Sequence, residues 1–353
     1  MGERVKYIDN LRWMTVFLLI PYHAAMAYNT WGEANYIFFG ELKPAAAVVS
    51  LISPWFMPLM FLLAGVSARF SLRKRSMGRF IRERFLRLGV PFVFGICVLA
   101  PVLSYVADAF HNGYSGGYFE HYTVFFTRFT DLTGYDGGFT LGHFWFLVVL
   151  IIIAVVSCGI TALTDRVPED KRRRLGTAGG LLLAAGAAAA FDVKLFGKQI
   201  VTYLCLYLLG YYFFSDSGFV SRLAEYRLLC GLLFIGFSAA NVILFIFIGG
   251  NETLNTVCCR CAFAFGIPAI MGFGQRRLDR TGRLAGFAAG ISYVFYIVHY
   301  IPVVLCQYLL WSAGAGRMLN LLLTVLISFP VTIGCCYLIS KLRYVRVLFG
   351  LKK

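Results

Sequence analysis

Charged residues, and acidic residues above all, are scarce in this chain of 353 residues. Asp, Glu, Lys and Arg together make up 14% of the sequence, with 17 acidic residues against 33 basic ones. An average soluble domain is about one-quarter charged, so this composition argues against a water-soluble protein. Hydrophobic residues reach 59% and the mean hydropathy is +0.73. The sequence therefore predicts a polytopic membrane protein.

Several patterns typical of other protein classes are also missing. The sequence has no internal repeat, no low-complexity tract and no long linker. All ten cysteines fall within apolar stretches, and Cys258, Cys259 and Cys261 lack the spacing of a zinc site. Buried thiols usually behave as small apolar side chains. We therefore expect neither a bound metal ion nor disulfide bonds.

Ten apolar stretches are long enough to cross a bilayer as helices. The predicted fold is an all-α transmembrane helix bundle of about ten spans, with residues 1–353 forming one domain. The fifth stretch is the weakest, because it is short and built of small residues. The spans lie near residues 7–28, 45–68, 88–107, 143–164, 176–191, 199–215, 228–248, 256–274, 286–310 and 318–340.

Lysine and arginine are concentrated on one side of this predicted bundle. Of the 33 basic residues, 27 lie in the segments on the side of the N-terminus, five lie on the other side, and Arg260 lies within a span. The positive-inside rule then places both termini in the cytoplasm. The net charge of +16 should face anionic lipid headgroups and anionic cytosolic ligands, and no nucleic-acid partner is expected. The sequence leaves open whether copies of the chain associate into a homo-oligomer.

The first apolar stretch carries Arg12 near its start and His23 deep in its body. The two are eleven positions apart, so one continuous helix would present both on one face, about 16 Å apart. An ionisable side chain inside a membrane is costly, roughly 2.5 kcal/mol or more for a charged one. His23 is therefore a functional candidate. The alternative is that it only packs and hydrogen-bonds a neighbouring helix.

The same stretch could also be interpreted as a secretory signal peptide, because Ala25, Met26 and Ala27 resemble a cleavage site. Asp9 in the start region and Pro21 in the apolar core argue against that interpretation. We expect the first span to be retained.

A basic segment, residues 69–87, follows the second span and is predicted to be a cytoplasmic loop. Arg84 and Arg87 are three positions apart at the start of the third span, so they share a helix face. Two interpretations stay open, lipid anchoring and phosphate binding, the latter because guanidinium forks match phosphate oxygens. The eight cations of this segment are Arg69, Arg73, Lys74, Arg75, Arg79, Arg82, Arg84 and Arg87.

The segment 108–141 is the one long extracytoplasmic loop. Aromatic residues at 118, 119, 122, 125, 126 and 129 follow the spacing of an amphipathic helix. We expect this helix to lie in the outer membrane interface or to form the floor of an acceptor-binding cleft. His143 and Trp145 open the fourth span on the same side.

Three ionisable residues share one predicted depth in the membrane. At 1.5 Å per residue, His23 lies about 18 Å, His299 about 20 Å and Arg260 about 22 Å above the inner face. Scattered packing residues have no reason to coincide in depth. The coincidence predicts one polar site inside the bundle, reached from both sides.

Four stretches of the sequence resemble the motifs of acyltransferase family 3, a family of bacterial integral-membrane acyltransferases. YIDNLRWMTVFLLIPYH, with Arg12 and His23, resembles the first-helix motif. RERFLRLGVP resembles the R-x-x-R signature that precedes a proline. HFWFL resembles the L/F-W-F-L stretch, and SYVFYIVH resembles S-Y-P-x-Y-L-x-H. The motifs run from residue 7 to residue 299.

Two features depart from the family pattern or leave it ambiguous. Val294 stands where the family often has proline, which predicts a straighter ninth span. Arg79 and Arg82 also fit R-x-x-R, so the assignment to Arg84 and Arg87 depends on the proline that follows.

The resemblance implies a function and a place. Members transfer acyl groups in the bacterial cytoplasmic (inner) membrane, so we expect transfer of an acetyl or succinyl group from cytosolic acyl-CoA to a hydroxyl of an extracytoplasmic glycan, lipid or other acceptor. Acyl-CoA would be a substrate, with no permanently bound cofactor. The candidate residues, from the motifs and, for Arg260, from its predicted depth, are His23, Arg12, Tyr293 and Arg260 for catalysis, Arg84, Arg87, Arg79 and Arg82 for the donor, and His299, Trp145, His143 and Tyr296 for the acceptor.

In this scheme His23 is the general base, and Arg260 or the Tyr293 hydroxyl stabilises the oxyanion. Direct transfer is preferred because no Ser or Cys nucleophile lies near a base in the sequence, with an acyl-His intermediate as the alternative. A transporter or exporter that uses an intramembrane His/Arg site is the competing function. Its usual sign is a pair of broken helices in repeated halves, whereas here only the second span, with Pro54 and Pro58, looks broken.

Overall fold

The structure is a computed structural model that describes residues 5–164, 169–191, 193–195, 197–249, 251–280 and 282–351. All the regular secondary structure of these residues is helical, and one isolated bridge joins Leu195 and Lys198. The all-α prediction is confirmed. Four basic residues that contribute to the predicted charge asymmetry, Arg4, Arg166, Lys352 and Lys353, lie outside the described residues.

The helices, numbered in chain order, are α1 (Lys6–Phe17), α2 (Leu19–Met26), α3 (Lys43–Ile52), α4 (Phe56–Leu72), α5 (Met77–His111), α6 (Tyr118–Thr127), α7 (Gly142–Thr164), α8 (Glu169–Ala189), α9 (Ile200–Phe214), α10 (Ser217–Ile248), α11 (Glu252–Arg277), α12 (Arg283–Val298), α13 (Tyr300–Ser312), α14 (Arg317–Lys341) and α15 (Val345–Leu348).

Among the described residues, six helices are long and apolar enough to cross a membrane: α5, α7, α10, α11, α14 and the run from α3 through α4. The bent pair α12 and α13 makes a seventh if it is one span. Helix α9 and the part of α8 from Gly179 to Ala189 are apolar but shorter. The chain is therefore a multi-pass membrane protein, as predicted.

The first predicted span is not one continuous helix, which corrects the sequence analysis. Helix α1 ends at Phe17 and α2 begins at Leu19. Pro21 explains the break, because it has no N–H to donate to the Phe17 carbonyl and its ring clashes there. The 16 Å helical spacing predicted between Arg12 and His23 assumed a continuous helix and stays a prediction.

The ninth predicted span is also broken, although Val294 replaces the family proline. Helix α12 continues through Val294 and ends at Val298, and α13 then leaves at an angle of 57°. Pro302 stands four residues after Val298 and leaves that carbonyl without its helical donor. His299 occupies the bend. The prediction of a straighter ninth span is therefore wrong.

The second span breaks where the prolines predict. Residues 53–55 separate α3 from α4, and Pro54 lies in that gap. Pro58 sits in the first turn of α4, where a missing N–H does little harm. The basic segment after this span is mostly helical rather than a loop, because α4 continues to Leu72 and α5 begins at Met77.

The chain divides into two compact units. The first unit comprises Met1–Arg12, Leu51–Phe85 and Val149–Gly282. Its core is built around α4, whose buried Leu59, Leu62, Leu63 and Val66 have the spacing of one helix face. Apolar side chains of α1, α9 and α11 complete this core.

Two glycines allow α4 and α9 to approach very closely within the first unit. A Cβ at Gly65 would collide with the backbone carbonyl of Tyr207, and one at Gly210 would collide with that of Leu62. Small residues at such crossings let helix backbones touch in membrane proteins.

Replacing Gly65 by Ala should therefore lower the free energy of unfolding by about 1–3 kcal/mol, the usual cost of overpacking. The matched control is Gly236→Ala in α10, where an added Cβ meets no atom within 4 Å. That substitution should be neutral or stabilise by up to about 1 kcal/mol. Thermal unfolding of both variants in one detergent checks this, and equal melting temperatures would contradict the close helix contact.

The second unit comprises Trp13–Ser50, Leu86–Val148 and Arg283–Lys353. Buried hydrogen bonds join its helices α2, α13 and α14. The Gln307 side chain donates to the Ala24 carbonyl at 2.9 Å, Asn320 donates to the Gln307 carbonyl at 3.0 Å, and Thr324 donates to the Asn320 side chain at 3.2 Å. Polar side chains of this kind join helices where water is absent.

The predicted amphipathic helix in segment 108–141 is α6, but its buried face differs from the aromatic stripe. His121 and Phe125 are buried, whereas Phe119 is 86% exposed. His121 bonds the Asp108 carboxylate at 3.0 Å, and Arg128 donates to the same carboxylate at 3.3 Å. Burial lowers the pKa of His121, although the Asp108 carboxylate opposes this effect. The cluster fixes α6 against the end of α5.

Candidate active site

Three histidines come together in the second unit. His23 lies in α2, His143 lies in the first turn of α7, and His299 lies at the bend between α12 and α13. The ring centroids of His299 are 5.3 Å from His23 and 5.0 Å from His143. The side chains of His143 and His299 are buried, whereas His23 is half-buried. The structure thus places the two histidines of predicted equal depth side by side.

Backbone carbonyls fix the tautomers of the two buried imidazoles. His299 Nδ1 lies 2.7 Å from the Tyr296 carbonyl, and His143 Nε2 lies 2.9 Å from the Ile297 carbonyl. A carbonyl only accepts, so these nitrogens carry the hydrogens. The other nitrogens, His299 Nε2 and His143 Nδ1, are buried acceptors with no hydrogen-bond partner among the described residues. They are suited to receive a hydrogen bond from a hydroxyl group.

Tyr300 forms one wall of this histidine cluster, although we did not predict it from the sequence. Its ring stacks on His23 with centroids 4.0 Å apart and an interplanar angle of 27°. Its hydroxyl donates to Asn35 Oδ1 at 2.9 Å, and that oxygen also accepts from the Tyr36 backbone N–H at 2.9 Å. His111 Nε2 donates to the Asn35 carbonyl at 2.8 Å. The only sequence signal was the position of Tyr300 beside His299.

Tyr36 continues this network in the connection between α2 and α3. Its hydroxyl lies 2.7 Å from Thr140 Oγ1, which itself donates to the Thr133 carbonyl. The Thr140 hydroxyl has one hydrogen, so Tyr36 is the donor. Burial raises the pKa of Tyr36, so its hydroxyl stays protonated.

Two residues predicted to contact the acceptor have structural contacts here. The Tyr296 hydroxyl donates to the His143 carbonyl oxygen, which uses its single hydrogen. Trp145 is half-buried and stands edge-on to Phe146, with ring centroids 6.3 Å apart. Their roles in acceptor binding stay predictions.

Arg12 belongs to the first unit, where its guanidinium has polar partners. Its guanidinium donates to Asp9 at 3.0 Å and to the Ser67 hydroxyl at 2.6 Å. Arg260 lies half-buried in α11 of the same unit. The histidine cluster belongs to the second unit, so the roles predicted for Arg12 and Arg260 in catalysis stay predictions.

The four arginines of the predicted donor site differ in their surroundings. Arg79 is exposed and forms an ion pair with Glu83 at 3.1 Å, and Arg75 also contacts that carboxylate. Arg82 is exposed. Arg84 is half-buried, with its guanidinium 4.8 Å from the Phe80 ring centroid. Arg84 falls in the first unit and Arg87 in the second.

Arg87 is joined to the SYVFY motif by a specific hydrogen bond. Pro91, four residues on, has no N–H, so it leaves the Arg87 carbonyl without its helical donor. The Tyr293 hydroxyl donates to that carbonyl at 2.7 Å, and the Arg87 guanidinium lies 5.8 Å from the Tyr293 ring centroid. Tyr293 has thereby used its only hydroxyl hydrogen, so its predicted role as oxyanion donor would require this bond to break.

Gly350, near the end of the described chain, packs against the same place. Its φ is +69°, and a Cβ would lie 2.7 Å from the Arg87 carbonyl and 2.8 Å from the Tyr293 ring. Only glycine satisfies both conditions without strain. No pattern in the sequence had indicated that the C-terminal segment contributes here.

Comparison with known proteins gives one match over nearly the whole chain. The family model described as "Acyltransferase domain" matches residues 5–341. The proteins named "Glucans biosynthesis protein C" from Salmonella paratyphi B and Salmonella heidelberg are each 23% identical over 180 residues. The aligned region is 49% of this chain and 43% of those proteins, so it spans less than half of their length. No solved structure matches the chain significantly.

Proposed function

Because the chain belongs to acyltransferase family 3, we propose that it is a membrane O-acyltransferase that uses cytosolic acyl-CoA. The acyl group would be acetyl or succinyl, and the acceptor would be a hydroxyl of an extracytoplasmic glycan, lipid or other molecule. The position of His23 beside His299 and Tyr300 supports this proposal most directly. Ionisable side chains within membrane-spanning segments are rare and are usually functional.

The reaction needs one group that removes and returns a proton. His23 takes the proton of the acceptor hydroxyl while the hydroxyl oxygen bonds to the thioester carbonyl carbon. The carbon–sulfur bond then breaks, and the CoA thiolate receives the proton from the His23 imidazolium. Imidazole suits both steps because it titrates near neutral pH. His143 and His299, with their bare buried nitrogens, would accept hydrogen bonds from the acceptor, together with Trp145 and Tyr296.

In this proposal, arginines stabilise the negative charges of the reaction and of the donor. Arg12 and Arg260 would stabilise negative charge that develops on the thioester oxygen, whereas Tyr293 would serve the donor site through its bond to Arg87. Arg87 and Arg84 would hold the CoA phosphates, with Arg79 and Arg82 as weaker candidates. The ion pair of Arg79 with Glu83 makes that residue the less suitable partner for an anion.

We further propose ten spans with both termini in the cytoplasm, in the inner membrane of a bacterium. The described helices supply a candidate for each predicted span: six long helices, the bent pair, two shorter apolar helices and the broken pair α1 and α2. The strong excess of basic residues on the N-terminal side supports the orientation.

The proposal is tested with purified wild-type protein and acetyl-CoA or succinyl-CoA, by following free CoA with and without extracted glycans and lipids. We expect acceptor-dependent CoA release with one of the two donors. The exporter alternative predicts no CoA release. The breaks found in the first and ninth predicted spans remove the sequence argument against an exporter, so this measurement, rather than the helix pattern, distinguishes the two functions.

A further inference from the structure

We propose that Tyr300 is a positioning residue that holds the His23 imidazole, and that Asn35 in turn holds Tyr300 from the connection between α2 and α3. The inference rests on the proposed role of His23 as the general base. It assigns a role to two residues outside the family motifs found in the sequence.

The contact between Tyr300 and His23 is a stacked one. The rings lie 4.0 Å apart and within 27° of parallel, whereas the Tyr22 ring meets His23 edge-on at 5.3 Å. A stacked partner fixes the plane of the imidazole. A general base must keep its nitrogen within about 2.6–3.2 Å of the proton that it removes. Movement of about 1 Å can lower the rate by about 10²-fold.

Asn35 is the point at which the Tyr300 ring is fixed. It is 3% exposed. Its side-chain oxygen accepts from both the Tyr300 hydroxyl and the Tyr36 N–H, and its carbonyl accepts from His111. Three donors from different parts of the second unit therefore meet at this residue. Rotation of the Tyr300 ring would break one of these bonds and leave a buried hydroxyl without a partner, which is unfavourable.

This arrangement predicts an effect on the chemical step rather than on donor binding. Tyr300→Leu removes the stacked ring, so kcat should fall roughly 10- to 100-fold while KM for acyl-CoA stays within about twofold. Tyr300→Phe keeps the ring but loses its hydroxyl bond to Asn35, so it should recover only part of kcat. Asn35→Leu keeps the ring but removes its hydroxyl partner, so its kcat should lie between those two. Tyr105→Phe is the matched control, because it removes a tyrosine hydroxyl bond to the Gly116 carbonyl away from His23.

A second measurement does not require any enzymatic activity. Diethyl pyrocarbonate modifies accessible imidazoles, and peptide mass spectrometry reports the rate at His23. We expect faster modification in Tyr300→Leu and Asn35→Leu than in wild type, and an unchanged rate in Tyr105→Phe. If His23 is modified at the same rate in wild type, Tyr300→Leu and Asn35→Leu, the proposal is wrong, whatever the kinetics show. If Tyr300→Leu does not fold, Asn35→Leu decides alone.

The two proposals fail in different ways. Absence of CoA release by the wild-type protein would refute acyl-CoA chemistry, while the labelling rates would still decide whether Tyr300 holds His23. An unchanged kcat in Tyr300→Leu, with CoA release intact in wild type, would refute the positioning role alone.

Discussion

Replacing His23 by Ala should reduce acyl transfer by about 10²–10⁴-fold, the usual contribution of a general base. The physical reason is that the imidazole that takes the proton of the attacking hydroxyl would be missing. The loss should appear in kcat, because His23 acts on the reacting atoms rather than on the CoA nucleotide. Free CoA release at saturating donor and acceptor measures it.

His23→Gln is the matched comparison for that experiment. A glutamine side chain can hydrogen-bond a neighbouring helix but cannot take a proton near neutral pH. If His23 only packs, the glutamine variant should keep most of the activity. If either variant elutes and unfolds like wild type and still turns over at a near-normal rate, His23 is not the general base. Loss of activity in both supports it.

Composition, the family motifs and the meeting of His23 with His299 could all be anticipated from the sequence. Low charge content and apolar stretches of membrane length determine the helical class. His23 and His299 had the same predicted depth, which indicated that they could meet. Their rings lie 5.3 Å apart in the structure.

The helix breaks were missed although the sequence contains their cause. Pro21 and Pro302 each stand four residues after the last residue of a helix, Phe17 and Val298. Proline in the middle of an apolar run often survives as a kink, so the run alone does not show whether the helix ends. The bend at Pro302 is what brings His299 to a helix end.

Tyr300 and Asn35 were missed for another reason. Their contact joins positions 265 residues apart in the chain. Neither residue is charged, and neither lies within a family motif. A hydrogen bond of this kind depends on tertiary packing, which periodicity and composition do not describe. In contrast, the bond from Tyr293 to Arg87 had a local signal, because Pro91 leaves the Arg87 carbonyl without a helical donor.

Replacing Arg87 by Ala should weaken acyl-CoA binding by about 10- to 100-fold. Hydrogen bonds to a charged group contribute about 1.5–3 kcal/mol each, and every 1.4 kcal/mol is tenfold in affinity. Arg87 is exposed, and its backbone and ring contacts with Tyr293 fix its position. The loss should appear in KM for the donor, because the phosphates lie far from the reacting carbonyl and bind alike before and during the reaction.

Arg87→Lys separates phosphate binding from lipid anchoring. An ammonium keeps the charge but loses the two-pronged guanidinium geometry, so it should recover only part of the affinity. Anchoring by charge predicts that Lys is equivalent to Arg and that CoA affinity is unaffected. Arg343→Ala is the control, because it removes one exposed cation of the same unit that is not among the predicted donor-site residues. Calorimetric CoA titration of wild type and all three variants in one detergent decides the question. If wild type and all variants bind CoA with equal affinity, Arg87 does not bind the donor. If wild type does not bind CoA, the proposed acyl-CoA reaction is wrong.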